Sequence, residues 1–87
     1  MKIKSSFILK KILDDYIVVP VGEELVNFDA MITLNETGAF LWELLNEEKT
    51  EEELLKELCS VYDVSEEDAK KDISNFIALL QQTKVLE

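Results

Sequence analysis

The residues able to do chemistry are few. Among 87 residues there is one cysteine, Cys59, with no histidine and no arginine, so all nine bases are lysines. A thiol nucleophile needs a neighbouring base or a depressed pKa, and without histidine Cys59 has no activating partner of the usual kind. It sits at helical spacing among Leu54, Leu55, Leu58, Val61 and Tyr62, which places it on a core face as a buried, inert thiol. Zinc sites built from histidine and cysteine are excluded. The acidic runs Glu47-Glu48 and Glu51-Glu52-Glu53 lack the alternating oxygen ligands and loop glycine of a calcium hand. They read as solvated helix starts. The two glycines, Gly22 and Gly38, make no phosphate-cradling loop. No catalytic residue, metal or cofactor is expected, and a binding module remains.

Charge narrows what such a module binds. Nineteen acids against nine lysines give a net charge of −10. That field repels nucleic acid and anionic lipid, and the missing arginine removes the best bidentate ligand for phosphate and guanine. Neither nucleic acid nor a membrane is an expected partner. No apolar run approaches the roughly 20 residues of a membrane span. A lone cysteine and no signal peptide before the first strand suggest a reducing, cytoplasmic setting.

The elements that must position any binding residue follow from periodicity. Residues 7–13 and 16–19 read as two short strands, with Asp14-Asp15 as the tight turn between them. Pro20 cannot donate to a ladder, so the second strand ends there or lies at an edge. Gly22-Glu23-Glu24 reads as a turn, residues 25–28 as a further extended piece and Asp29-Ala30 as a second turn. Residues 31–34 form the third strand and run directly into Asn35, a helix N-cap. The helix that follows is apolar over most of its circumference through Phe40, Leu41, Trp42, Leu44 and Leu45. Only Glu36, Glu43 and Glu47 share a charged line. Gly38 lies on the apolar side, where another backbone is expected to come close.

A capping box, Thr50-x-x-Glu53, opens a second helix, with Glu52 and Lys56 paired across one turn. Ser65 opens a third, running to about Thr83 with a buried stripe of Ala69, Ile73, Phe76, Ile77 and Leu80. Asp72, Asn75, Leu79 and Thr83 flank that stripe, and Val85-Leu86 folds back onto the core. Strands first and helices after imply a single α+β domain, three-stranded and antiparallel, with helices on one face of the sheet. Its outline is that of a winged helix-turn-helix.

Several motifs, read in order, resemble the PqqD family. They are Leu34-Asn35-x-Thr37-Gly38-Ala39-x-Leu41-Trp42-x-Leu44-Leu45, Thr50-x-x-Glu53-Leu54, Tyr62-Asp63-Val64, Asp72-Ile73-x-x-Phe76-Ile77-x-x-Leu80 and Val85-Leu86. The resemblance implies a peptide-binding winged-helix domain, the recognition element for ribosomally made, post-translationally modified peptides. Such domains capture a precursor's leader and present it to a modifying enzyme, often a radical-SAM protein. The leader joins the third strand in a groove shared with the third helix. The chain departs from the family in the longer stretch 22–30 and in Lys84, where a glycine is usual.

On that resemblance, an extended peptide is expected to pair with Met31, Ile32, Thr33 and Leu34 and to pack against Asp72, Asn75, Phe76 and Leu79. A free strand edge beside a long helix is a natural site for strand addition. The same edge offers a second copy of the chain a route to a homodimer. The competing readings are a DNA-binding winged-helix regulator, which the charge opposes, and a dimerisation or docking domain for a partner enzyme.

Overall fold

A computed structural model describes residues 1–22 and 32–87. Strands β1 (Phe7–Ile12), β2 (Asp15–Pro20) and β3 (Ile32–Leu34) form an antiparallel sheet in the order β1-β2-β3. Helices α1 (Glu36–Leu44), α2 (Glu51–Val61) and α3 (Glu66–Thr83) follow. This is the expected α+β order, strands first and helices after. The expected elements at 25–28 and Asp29-Ala30, and Met31 with them, lie outside the described residues.

The β1–β2 pairing runs from Phe7 opposite Pro20 to Ile12 opposite Asp15. The two-residue loop is therefore Leu13-Asp14, not Asp14-Asp15. Leu13 takes φ 58° in it, a left-handed conformation that suits a hairpin loop but not a leucine. Pro20 is the last residue of β2, which is the central strand, so its missing N–H falls where the ladder stops.

Alternation decides which sheet face is covered. Phe7, Val18, Ile32 and Leu34 point to one side and are buried. Against them stand Leu41, Trp42 and Leu45 of α1, Leu54 and Leu58 of α2, and Ala69, Ile73, Phe76, Ile77 and Leu80 of α3. Trp42 is 1% exposed, as its place on the apolar helix requires.

Each helix start is capped as its sequence dictates. Asn35 Oδ1 accepts from the Gly38 amide at 2.8 Å. The Thr50–Glu53 box is closed in both directions. The Asp68 amide donates to Ser65 Oγ at 3.1 Å. The Glu53 carboxyl lies below its ordinary range, chiefly because it accepts the Thr50 amide.

Helix α2 departs from expectation. Only Leu54 and Leu58, one i,i+4 ridge, are buried; Cys59 and Val61 are exposed. Its apolar arc is wider than the surface its neighbours offer, so the thiol at the arc's margin faces water rather than the core. Glu52 and Lys56 form no ion pair; the i,i+4 pair is Glu66–Lys70 on α3, at 3.3 Å.

Lys84 ends α3 in the left-handed region, φ 60° and ψ 39°. The chain then turns back: the Val85 amide donates to Leu80 O at 3.2 Å, and Val85 is fully buried. The first residues bind this tail. Ile3 bridges Leu86, the Lys4 amide donates to Val85 O at 2.8 Å, and the Ile3 amide donates to Leu45 O at 2.8 Å.

Candidate functional site

Among the described residues, strand β3 is paired on one edge only. Its three residues face Val18, Ile17 and Tyr16 of β2, and its other edge has no strand partner among the described residues. Ile32 and Leu34 turn inward while Thr33 is exposed. The Asn35 cap follows at once, so the start of α1 is locked directly to the end of this strand. Besides the Gly38 amide, Asn35 Oδ1 receives the Thr37 hydroxyl at 3.1 Å.

Helix α3 borders the open edge across a cleft of about 420 Å³. From α3 the lining residues are Asp72, Asn75, Phe76 and Leu79. Their spacing of i, i+3, i+4 and i+7 is one helical face. From the other side come Thr33, Leu34, Asn35, Thr37, Gly38 and Leu41. Leu34, Leu41 and Phe76 are buried and Leu79 is half-buried, which gives an apolar floor. Thr33, Asn35, Asp72 and Asn75 are exposed and make a polar rim. Among the described residues Asp72 is the one charged side chain in the lining, and no ion pair engages it.

The structure thus brings Thr33, Leu34, Asp72, Asn75, Phe76 and Leu79 around one cavity. Ile32 is not in the lining; its side chain lies in the core at 3% exposure. Met31 lies outside the described residues. Sequence reasoning missed Asn35, Thr37, Gly38 and Leu41 as lining residues. The signal was present, because a helix capped one residue after a strand must begin at that strand's end. Gly38 meets the Leu34 side chain and the Asn35 cap rather than another backbone segment.

Elsewhere, Tyr16, Phe40 and Tyr62 are half-buried aromatic residues. Phe40 and Tyr62 meet edge to face at 5.4 Å, and Lys11 Nζ lies 5.5 Å from the Tyr16 ring centre. Desolvation, then the Glu36 carboxylate and Tyr16, raise the Tyr62 hydroxyl above its ordinary range. None of these residues lines the cleft.

An antiparallel sheet with an open edge, set beside the face of a long helix, defines a winged-helix-like α+β binding domain. Residues 17–86 match the model of the family described as coenzyme PQQ synthesis protein D (PqqD), and the chain belongs to that family. It is similar to a solved structure described as TbiB1 in complex with the TbiA(beta) leader peptide. The two share 26% identity and a TM-score of 0.77, over 100% of this chain and 95% of that one. No curated protein matches the chain.

Proposed function

We propose that this chain is a non-catalytic peptide chaperone. It binds the leader of a ribosomally made precursor as a fourth strand on β3 and presents it to a modifying enzyme, of radical-SAM type, in the cytoplasm. The observation that carries this reading is the edge of β3 that has no strand partner among the described residues and opens into a cleft whose far wall is one face of α3. Backbone pairing at such an edge supplies affinity, and side chains lining the groove supply specificity. Membership of the PqqD family and similarity to a protein solved with a leader peptide support the assignment.

The chemistry of the wall suggests the ligand. An extended peptide directs alternate side chains to one side. Apolar ones meet Leu34, Phe76 and Leu79, and a basic one near Asp72 meets the only charge that the described residues place in the lining. The net charge of −10 adds attraction for a basic leader.

An NMR titration with leader peptides encoded near the gene tests the proposal. Shifts concentrated at Thr33, Leu34, Asp72, Asn75 and Leu79 are expected. Shifts centred on Glu52 and Lys56 of α2 would sink strand addition. Micromolar, salt-sensitive binding to duplex DNA would instead favour a regulator.

A further inference from the structure

The cleft has a direction as well as a wall. Register sets that of β3: Ile32 opposes Val18 and Leu34 opposes Tyr16, so the strand runs toward the β1–β2 loop. Asn35 and the first turn of α1 follow at that end. Tyr62 closes α2 shortly before Ser65 caps α3. It packs edge to face on Phe40, and its hydroxyl, chiefly desolvated, lies within electrostatic reach of Glu36 and Tyr16. Helix α3 therefore begins at the loop end of the sheet. It finishes at the opposite end. Just past it, Val85 O accepts the Lys4 amide at 2.8 Å, and Ser6 O accepts the amide of Val21, which follows β2, at 2.8 Å. Helix α3 thus runs opposite to β3. Asp72 stands toward the Asn35 end of the strand and Leu79 toward the Ile32 end.

Dimensions decide how much peptide this wall reads. A helix rises about 1.5 Å per residue, so Asp72 and Leu79 are about 10 Å apart along α3, with Phe76 between them. Same-side residues of an extended peptide recur about every 6.7 Å, two positions apart. The wall therefore meets two such side chains, and a third falls beyond it. One reaches Asp72. The other enters between Phe76 and Leu79, over Leu34. The residue between them points away. Pairing in the sheet is antiparallel throughout, a pattern slightly more stable per residue than the parallel one. A strand antiparallel to β3 runs the same way as α3, so its side chains meet Asp72 before Phe76 and Leu79. The Asp72 carboxylate is exposed and forms no ion pair among the described residues, whereas Lys70 is engaged by Glu66 at 3.3 Å.

Resting on the peptide-capture reading, we propose that the cleft selects leaders in which a lysine or arginine stands two positions before a large apolar residue. The apolar side chain supplies the burial. The basic one fixes register and polarity, because a slip by one residue turns both side chains to the other face. A charge pair at an exposed carboxylate adds little affinity, so its effect lies in choosing between registers.

The test uses the full chain and the labelled, synthesised leader of a precursor encoded beside the gene, with anisotropy as the readout. The segment that binds should contain the motif. Moving the basic residue one position to either side, or to two positions after the apolar residue, with glutamine left in its place, should weaken binding about three-fold. Replacing the apolar residue by alanine should weaken it about ten-fold. Asp72→Lys should reverse the preference, so that a peptide with glutamate at the basic position binds more tightly than the original. Asp72 is exposed, so this variant should keep the wild-type circular dichroism. Equal affinity for every placement of the basic residue, with NMR shifts still at Thr33 and Leu79, would overturn the motif and leave strand addition standing. So would tighter binding of the inverted order, or a binding segment without the motif. A leader that binds the chain outside the cleft would overturn the capture reading and the motif together.

Discussion

Gly38 stands against Leu34: a Cβ built at position 38 would lie 3.3 Å from Leu34 Cβ and 3.1 Å from Asn35 Oδ1. The first turn of α1 thus rests on the end of β3, and both line the cleft. Replacing a helical glycine with alanine normally stabilises by about 1 kcal/mol. Here the added methyl must displace the cap or the strand. Gly38→Ala is expected to yield none of that gain, with an unfolding free energy equal to or below wild type in urea melts. A full 1 kcal/mol of stabilisation would show that the contact gives way without cost.

Lys84 offers the opposite case. It holds a left-handed conformation at the end of α3 with φ 60°, where a Cβ costs roughly 1–2 kcal/mol relative to glycine. The turn it makes is required, since Val85 is fully buried and its amide returns to Leu80 O. Lys84 is itself exposed. Lys84→Gly should therefore stabilise the domain by about 1 kcal/mol, read as a higher urea midpoint at unchanged slope.

Trp42 is 1% exposed, within a core drawn from the sheet and all three helices. Trp42→Ala should cost about 3–5 kcal/mol. That approaches the whole stability of many domains. Native fluorescence should be blue-shifted and shift red on unfolding. Water-exposed emission from the native protein would contradict the placement.

Most of the fold was legible because its signals are local. Asn35, Thr50 and Ser65 are side chains that bond amides three residues on, so the sequence near each helix start is sufficient. The stripe from Ala69 to Leu80 is read from period alone. Failures came where position depends on distant neighbours. Cys59 and Val61 have core-like spacing, but whether an arc of α2 is covered depends on how far α1 and α3 extend over it. The hairpin loop slipped by one residue because Leu13 breaks the residue preference for positive φ, and composition favoured Asp14-Asp15. In the cleft, α3's face was readable from i, i+3, i+4 and i+7. The contribution of α1 required knowing that its first turn lies beside β3.

The capping box carries a pH dependence. Glu53 accepts the Thr50 amide at 3.0 Å, and its pKa is lowered from 4.5 chiefly by that bond. A carboxyl whose folded pKa is depressed contributes stability above its unfolded pKa and loses it as pH falls through the folded value. The box should therefore weaken below about pH 4.5. Comparing urea midpoints at neutral and acid pH, Glu53→Gln should flatten the acid-side loss. Protonating the other carboxylates relieves the repulsion of a −10 chain and acts in the opposite direction. An unchanged acid slope in Glu53→Gln would remove the box from the account.

Leu79 and Asp72 divide the work of the proposed cleft. Leu79 is half-buried on the flank of α3, where one side of its chain touches the core and the other faces the cavity. Leu79→Asp places a carboxylate on the apolar floor near Asp72. It should weaken leader binding at least ten-fold, about 1.4 kcal/mol. The fold should survive, because the position is not fully buried; lost apolar contact and helix propensity cost about 1–2 kcal/mol. Asp72→Asn keeps shape and hydrogen bonding but removes the only charge that the described residues place in the lining. It should leave affinity for a leader with a neutral residue at the facing position nearly unchanged. It should weaken a lysine- or arginine-bearing leader several-fold, with the difference shrinking as salt screens beyond about 8 Å. Anisotropy titrations of a matched pair of peptides against wild type and both variants separate the two roles. Equal losses for both peptides on Asp72→Asn would mean that Asp72 supports the cleft's structure and does not read the peptide's charge.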